Sequence, residues 1–120
     1  MHFEVYKENG KTIAVAKGEG ILLKDVNTAL DLIANANHLH EAEGLVLYKE
    51  NIIESFFDLS TRIAGEILQK FTNYSMRLAI VGDFSSYKSK SLHDFIYECN
   101  NGKTVYFLST LEEALQRLQA

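Results

Sequence analysis

Residues 56–68 read Phe56-Phe57-Asp58-Leu59-Ser60-Thr61-Arg62-Ile63-Ala64-Gly65-Glu66-Ile67-Leu68. An apolar segment gives way here to an amphipathic helix, so the stretch marks the passage from extended chain to helix. Ile63, Ala64, Ile67, Leu68 and Phe71 share one helical face, while Arg62, Glu66, Gln69 and Lys70 share the other. Asp58, Ser60 and Thr61 stand at the junction, where a side-chain oxygen can accept hydrogen bonds from free backbone N–H groups. The plainest role of Ser60 or Thr61 is therefore the helix N-cap, with Asp58 competing for it. A phosphate or carboxylate at the same place would also meet the positive end of the helix dipole. Gly65 lies inside the helix at a cost of roughly 1 kcal/mol relative to alanine, and a glycine there permits close packing on a sheet.

Toward the amino terminus, Phe3-Glu4-Val5-Tyr6-Lys7 alternates apolar and polar residues, as does the stretch through Ile13 and Val15. Asn9-Gly10 between them is the strongest short hairpin signal, so two antiparallel strands are expected at about 2–7 and 11–16. From Asp25 the period becomes helical, with Asp25 or Asn27 as cap, and the helix is expected to fade around 35–38. Leu45-Val46-Leu47-Tyr48 after Gly44 suits a buried central strand.

Toward the carboxyl terminus, residues 77–83 read as a strand ending in a glycine turn. Leu92, Phe95, Ile96 and Cys99 mark a helix closed by Asn100-Asn101-Gly102. Residues 104–108 form the last strand. Thr110 and Glu113 have capping-box spacing before a helix whose stripe is Leu111, Ala114, Leu115 and Leu118. The expected fold is α/β in the order β-β-α-β-α-β-α-β-α, a mixed, mostly parallel sheet with an N-terminal antiparallel hairpin. Residues 1–120 are read as a single domain.

Composition narrows the function classes. A formal charge of −4 argues against non-specific nucleic-acid binding, which needs a basic surface. Cys99 is the only cysteine, so no internal disulfide forms and a reducing compartment fits. No signal peptide is visible, and no apolar run approaches the ~20 residues of a membrane span. A cytoplasmic protein without membrane association is expected.

The segment Asp83-Phe84-Ser85-Ser86-Tyr87-Lys88-Ser89-Lys90-Ser91 follows a strand and leads into a helix, where open α/β sheets bind ligands. Asp83, Ser85, Ser86, Lys88, Ser89 and Lys90 are candidate anion-binding residues, although the glycine spacing of a phosphate loop is missing. A solvated loop with a helix cap is the bland alternative. His38 and His40 are two residues apart and do not share a helix face, so no metal is expected. Cys99 on an apolar stripe reads as an inert thiol. Phe56, Phe57, Ile52 and Ile53 read as core, or else as an apolar contact surface beside Ser60. No acid, base and nucleophile set appears, which leaves catalysis open but leans against it, and no cofactor is implied.

The element order, with a helix opening just after Asp58-Leu59-Ser60, resembles the sulphate transporter and anti-sigma factor antagonist (STAS) domain over about residues 11–119. The ending Val105-Tyr106-Phe107-Leu108-Ser109-Thr110-Leu111-Glu112-Glu113-Ala114-Leu115 also looks like a STAS ending. In anti-sigma antagonists the second serine of an Asp-Ser-Ser-Gly-type turn is phosphorylated by a partner kinase. The resemblance places Ser60 at that position, while Leu59 replaces the first serine and Thr61 the glycine. A closer resemblance is to small bacterial proteins catalogued as domain of unknown function 4180. It is carried by Phe56-Phe57-Asp58-Leu59-Ser60-Thr61, Ala64-Gly65-Glu66-Ile67-Leu68-Gln69-Lys70-Phe71, Ala79-Ile80-Val81-Gly82-Asp83-Phe84-Ser85 and Ser89-Lys90-Ser91-Leu92.

Together these readings imply a regulatory interaction module. Phe57, Asp58, Ser60, Thr61 and Arg62 would face a protein partner, with a phospho-switch at Ser60. Self-association into a homodimer is compatible with it. The alternative is a small anionic-ligand protein or enzyme using the helix starts near Ser60 and at 85–91.

Overall fold

Asn9 and Gly10 adopt φ values of 55° and 75°, the double left-handed geometry of a type I′ turn, and so close a tight hairpin. The computed structural model, which describes residues 1–120, pairs β1 (His2–Glu8) antiparallel with β2 (Lys11–Lys17) across that turn. Three parallel strands follow: β3 (Gly44–Tyr48), β4 (Arg77–Val81) and β5 (Val105–Leu108). The strand order β1-β2-β3-β4-β5 follows the sequence. The intervening helices are α1 (Val26–His40), α2 (Ile63–Asn73) and α3 (Lys90–Asn100), and α4 (Leu111–Gln119) closes the chain.

Each parallel crossover steps to the next strand in the same direction, so a constant right-handed connection lays α1, α2 and α3 on one face. Strand alternation then divides the core in two. Ala14, Leu45, Leu47, Leu78, Ile80 and Phe107 face those three helices, packing with Leu32, Ile33, Ile67, Phe71 and Leu92. Ile13, Val15, Val46, Ala79 and Tyr106 face the other way, beneath Ala114 and Leu118 of α4.

One nine-residue helix has to cover that second face, and a polar clasp holds it in place. The Arg77 guanidinium donates to the carbonyls of Leu118 (2.9 Å), Arg117 (3.2 Å) and Lys103 (3.2 Å), and to the Tyr106 hydroxyl (3.1 Å). Arg117 donates to the Asn100 carbonyl at 2.8 Å and lies over the Tyr106 ring. Every contact goes to a backbone carbonyl or to the Tyr106 side chain, and none to a carboxylate.

Several local expectations need correction. Helix α1 runs on to His40, past the expected fade, because Glu41 takes a left-handed cap whose N–H returns to the carbonyls of Ala36 and Asn37. Gly65 does not pack on the sheet: it is exposed, and a Cβ there would meet nothing within 4 Å. Helix α3 ends at Asn101 in right-handed conformation, so Gly102 is not a left-handed cap. Asn100 instead turns its amide onto the backbone of Phe107 in β5, at 2.7 and 3.0 Å. Two caps agree with the sequence: Asp25 and Thr28 cap each other's backbone N–H, and Thr110 accepts from Glu113 N–H at 3.1 Å.

Candidate functional site

The parallel strands all point one way, so the loops after β3 and β4 emerge side by side at one end of the sheet. Both segments singled out in the sequence lie there. After β3 the chain makes three 3-10 turns in succession, Lys49–Asn51, Glu54–Phe57 and Leu59–Thr61, before α2 begins. Asn51 anchors the first. It is buried, and its amide donates to the carbonyls of Gly18 (3.1 Å) and Gly20 (2.8 Å), pinning the β2–α1 loop beside β3. Phe56 and Phe57 anchor the second, at 1% and 3% exposure, and their rings meet edge-on.

On that footing the 58–62 turn stands in solvent. The Asp58 carboxylate accepts from the Ser60 N–H (3.1 Å) and from the Ser60 hydroxyl (2.7 Å). These hydrogen bonds favour the charged form and hold its carboxyl below the usual carboxylate range. The Thr61 hydroxyl donates to the carbonyls of Ser55 and Asp58 and lies 3.3 Å from the Ile63 N–H. Helix α2 starts at Ile63. Its N-cap is Arg62, at φ 66° and without a side-chain cap bond. The expectation that Ser60 or Thr61 is the N-cap of this helix is therefore corrected: Asp58 caps a separate 3-10 turn, which holds Ser60 one turn before α2. Asp58, Ser60, Thr61 and Arg62 are all exposed, whereas Phe57 supports them from below.

The 83–91 segment packs against the same footing. Tyr87 stacks on Phe57 with ring centroids 5.4 Å apart and donates its hydroxyl to the Glu54 carboxylate at 2.7 Å. Burial first, and then this bond to a carboxylate, push the phenol well above its ordinary value. Asp83 closes an Asx turn onto the Ser85 N–H at 2.9 Å. Ser85, aided by the nearby Lys49 ammonium, holds the Asp83 carboxyl below its usual range. Ser89 is the N-cap of α3, accepting from Leu92 N–H at 3.2 Å. Lys90 pairs with Asp94 at 2.8 Å on the exposed face of α3. The six candidate anion residues thus do not converge: two are taken by helix capping and a surface ion pair, and a carboxylate stands among them.

Between the two segments runs a groove of about 440 Å3, with Glu54, Ser55 and Asp58 on one wall and Tyr87, Lys88 and Ser89 on the other. The Lys49 ammonium sits 5.0 Å from the Tyr87 ring centroid and 5.9 Å from that of Phe57. Gly82 makes this possible, because a Cβ there would come within 2.5 Å of the Lys49 Cβ.

The profile of the family described as Domain of unknown function (DUF4180) matches residues 8–118. The chain belongs to the DUF4180 family. No curated protein matches it at a significant level. Within this DUF4180 fold, sequence reasoning located both segments but missed Lys49, Glu54 and Tyr87, which join them. Gly82 directly after an apolar strand was the available signal, since it marks a close approach without naming the residue that approaches.

Cys99 is half-buried, and burial pushes its thiol up to about 11. His40 meets the Phe3 ring edge-on at 5.5 Å. No helix is long and apolar enough to cross a membrane.

Proposed function

We propose that this chain is a STAS-like regulatory interaction module whose partner-facing element is the 58–62 turn, switched by phosphorylation of Ser60. One observation carries the reading: the Ser60 hydroxyl is exposed and donates its proton to the ionised carboxylate of Asp58. Esterifying that oxygen removes the donor and adds about −1.5 to −2 charge beside Asp58. The two groups then repel, and the turn loses the hydroxyl bond to Asp58 while the Ser60 N–H cap bond is set against that repulsion. Thr61 is a poorer site for phosphate, because its one hydroxyl proton is shared between the Ser55 and Asp58 carbonyls. No catalytic group is required, since the chain carries a shape that one modification alters.

The partner implied by the resemblance is an anti-sigma-type kinase, which would bind the unmodified turn and phosphorylate Ser60. Binding measured by calorimetry should survive Ser60→Ala and fall at least tenfold for Ser60→Asp. A partner equally content with both variants would remove the switch from the account.

The small-anion reading draws less support. Lys88 is the one candidate cation of the 83–91 segment outside an ion pair, and Asp83 and Glu54 flank the region with negative charge. A thermal-shift series with inorganic phosphate and nucleotides separates the two readings. A rise in melting temperature that Lys88→Ala abolishes would favour the ligand.

A further inference from the structure

Strand β1 is a sheet edge, bonded to β2 on one side and to nothing on the other. Which of its residues turn outward follows from the ladder. The Thr12 carbonyl accepts from Glu43 N–H at 3.0 Å on the far side of β2, so Thr12 and its partner Lys7 form a non-hydrogen-bonded pair. Alternation then turns the N–H and C=O groups of Phe3, Val5 and Lys7 away from β2. Their side chains lie on the α1 face, where Val5 is 37% exposed and Leu39, at the end of α1, is 69% exposed. A groove of about 660 Å3 runs beside the strand there, lined by Val5, Lys7, His38, Leu39 and Glu41.

We propose that β1 pairs antiparallel with β1 of a second copy about a two-fold axis at Val5, joining two sheets into one. The charges on the strand select this register. A two-fold normal to the sheet sets residues of the same face opposite each other, so the axis falls on one residue. With the axis at Glu4, that carboxylate faces itself. At Tyr6, Glu4 of each copy faces Glu8 of the other, and at Lys7 two ammonium groups meet. At Phe3, residues Tyr6 to Glu8 find no partner. With the axis at Val5 the whole strand pairs: Val5 on Val5, Glu4 opposite Tyr6, Phe3 opposite Lys7 and His2 opposite Glu8.

Opposed like charges destabilise a cross-strand pair, and charged edges deter open-ended pairing. The Val5 register is the one full-length pairing that escapes both. It uses the outward N–H and C=O groups of Phe3, Val5 and Lys7 on each copy. It also lays Phe3 of the second copy alongside Lys7, over the groove next to Leu39. The contact is isologous and closed, so it yields a dimer and no fibre.

Sedimentation at micromolar concentration should show a dimer. Val5→Pro should give a folded monomer, because it deletes an outward donor and leaves the bonds to β2 intact. Val5→Lys, which sets like charges on the axis, should do the same, with circular dichroism confirming the fold of both. In chains carrying Cys99→Ser, mixing Glu4→Cys with Tyr6→Cys should produce a mixed disulfide, while neither variant alone should cross-link. A monomeric wild type overturns the proposal. So does a dimer that survives both Val5 variants, or a disulfide formed by either cysteine variant on its own.

Discussion

Two polar clusters, at opposite ends of β4, use similar chemistry to opposite ends. Under α4, Arg77 and Arg117 direct their donors onto carbonyls and the Tyr106 ring, leaving little for a visitor. At the other end, Asp58, Ser60 and Arg62 stand in water on a footing of buried phenylalanines. The first cluster is built to hold the fold, and the second is held by it. Stability and surface chemistry should therefore separate cleanly under mutation.

The largest effect belongs to the clasp. Arg77→Ala removes the donors that hold the Leu118 and Arg117 carbonyls of the last helix, and should cost about 3 kcal/mol, or roughly 10 °C in Tm by calorimetry. Arg77→Lys should recover only a small part, since a point charge cannot reproduce the planar fork. If alanine there costs no more than a surface change, the contrast between the two ends fails.

Next come two changes near the start of α2 that should stabilise. Gly65→Ala adds a methyl group in open space and should raise stability by about 1 kcal/mol in urea titrations. Arg62→Gly relieves a left-handed backbone and should add about 0.5–1 kcal/mol while removing an exposed guanidinium from the proposed partner surface. A stabilised variant that loses partner binding would sharpen the division between fold and function. Ser60→Ala breaks an exposed bond and should stay within about 0.5 kcal/mol of wild type.

A different kind of effect appears in alkali. The Cys99 thiol titrates near 9 when unperturbed and at about 11 when folded, and Tyr87 shifts in the same direction. Both groups favour their neutral forms in the folded chain. Their contribution is complete below about pH 9 and is lost as pH climbs toward 11 and beyond. Cys99 should accordingly resist alkylation at pH 8 and react readily once the chain is unfolded in urea. Fast labelling of the folded chain at pH 8 would contradict the assigned burial.

Much of the fold was legible because local signals agreed with one another. Asn9-Gly10 fixed the hairpin, and the change of period at Asp25 and Ile63 separated helix from strand. Continuous apolar runs at Leu45 and Leu78 marked strands covered on both faces. The 58–62 junction was legible in place but not in geometry. Ser, Thr and Asp announce that a cap is near without saying which turn they cap, and a left-handed arginine at the cap position leaves no trace in composition. Gly65 and Gly102 show the same limit, since one residue type serves close packing, turns or nothing at all. Lys49 was invisible because its partners Tyr87 and Gly82 come from another loop. The clasp was invisible too, because Arg77 opens a strand and its acceptors are main-chain carbonyls far along the sequence.

Phosphosite mapping of the chain purified from its native cells, across several growth states, tests the central claim most directly. The account predicts a single phosphate on Ser60, with Thr61 and the serines of 85–91 unmodified. Phosphate on those other hydroxyls with Ser60 bare, or no phosphate in any growth state, would contradict it.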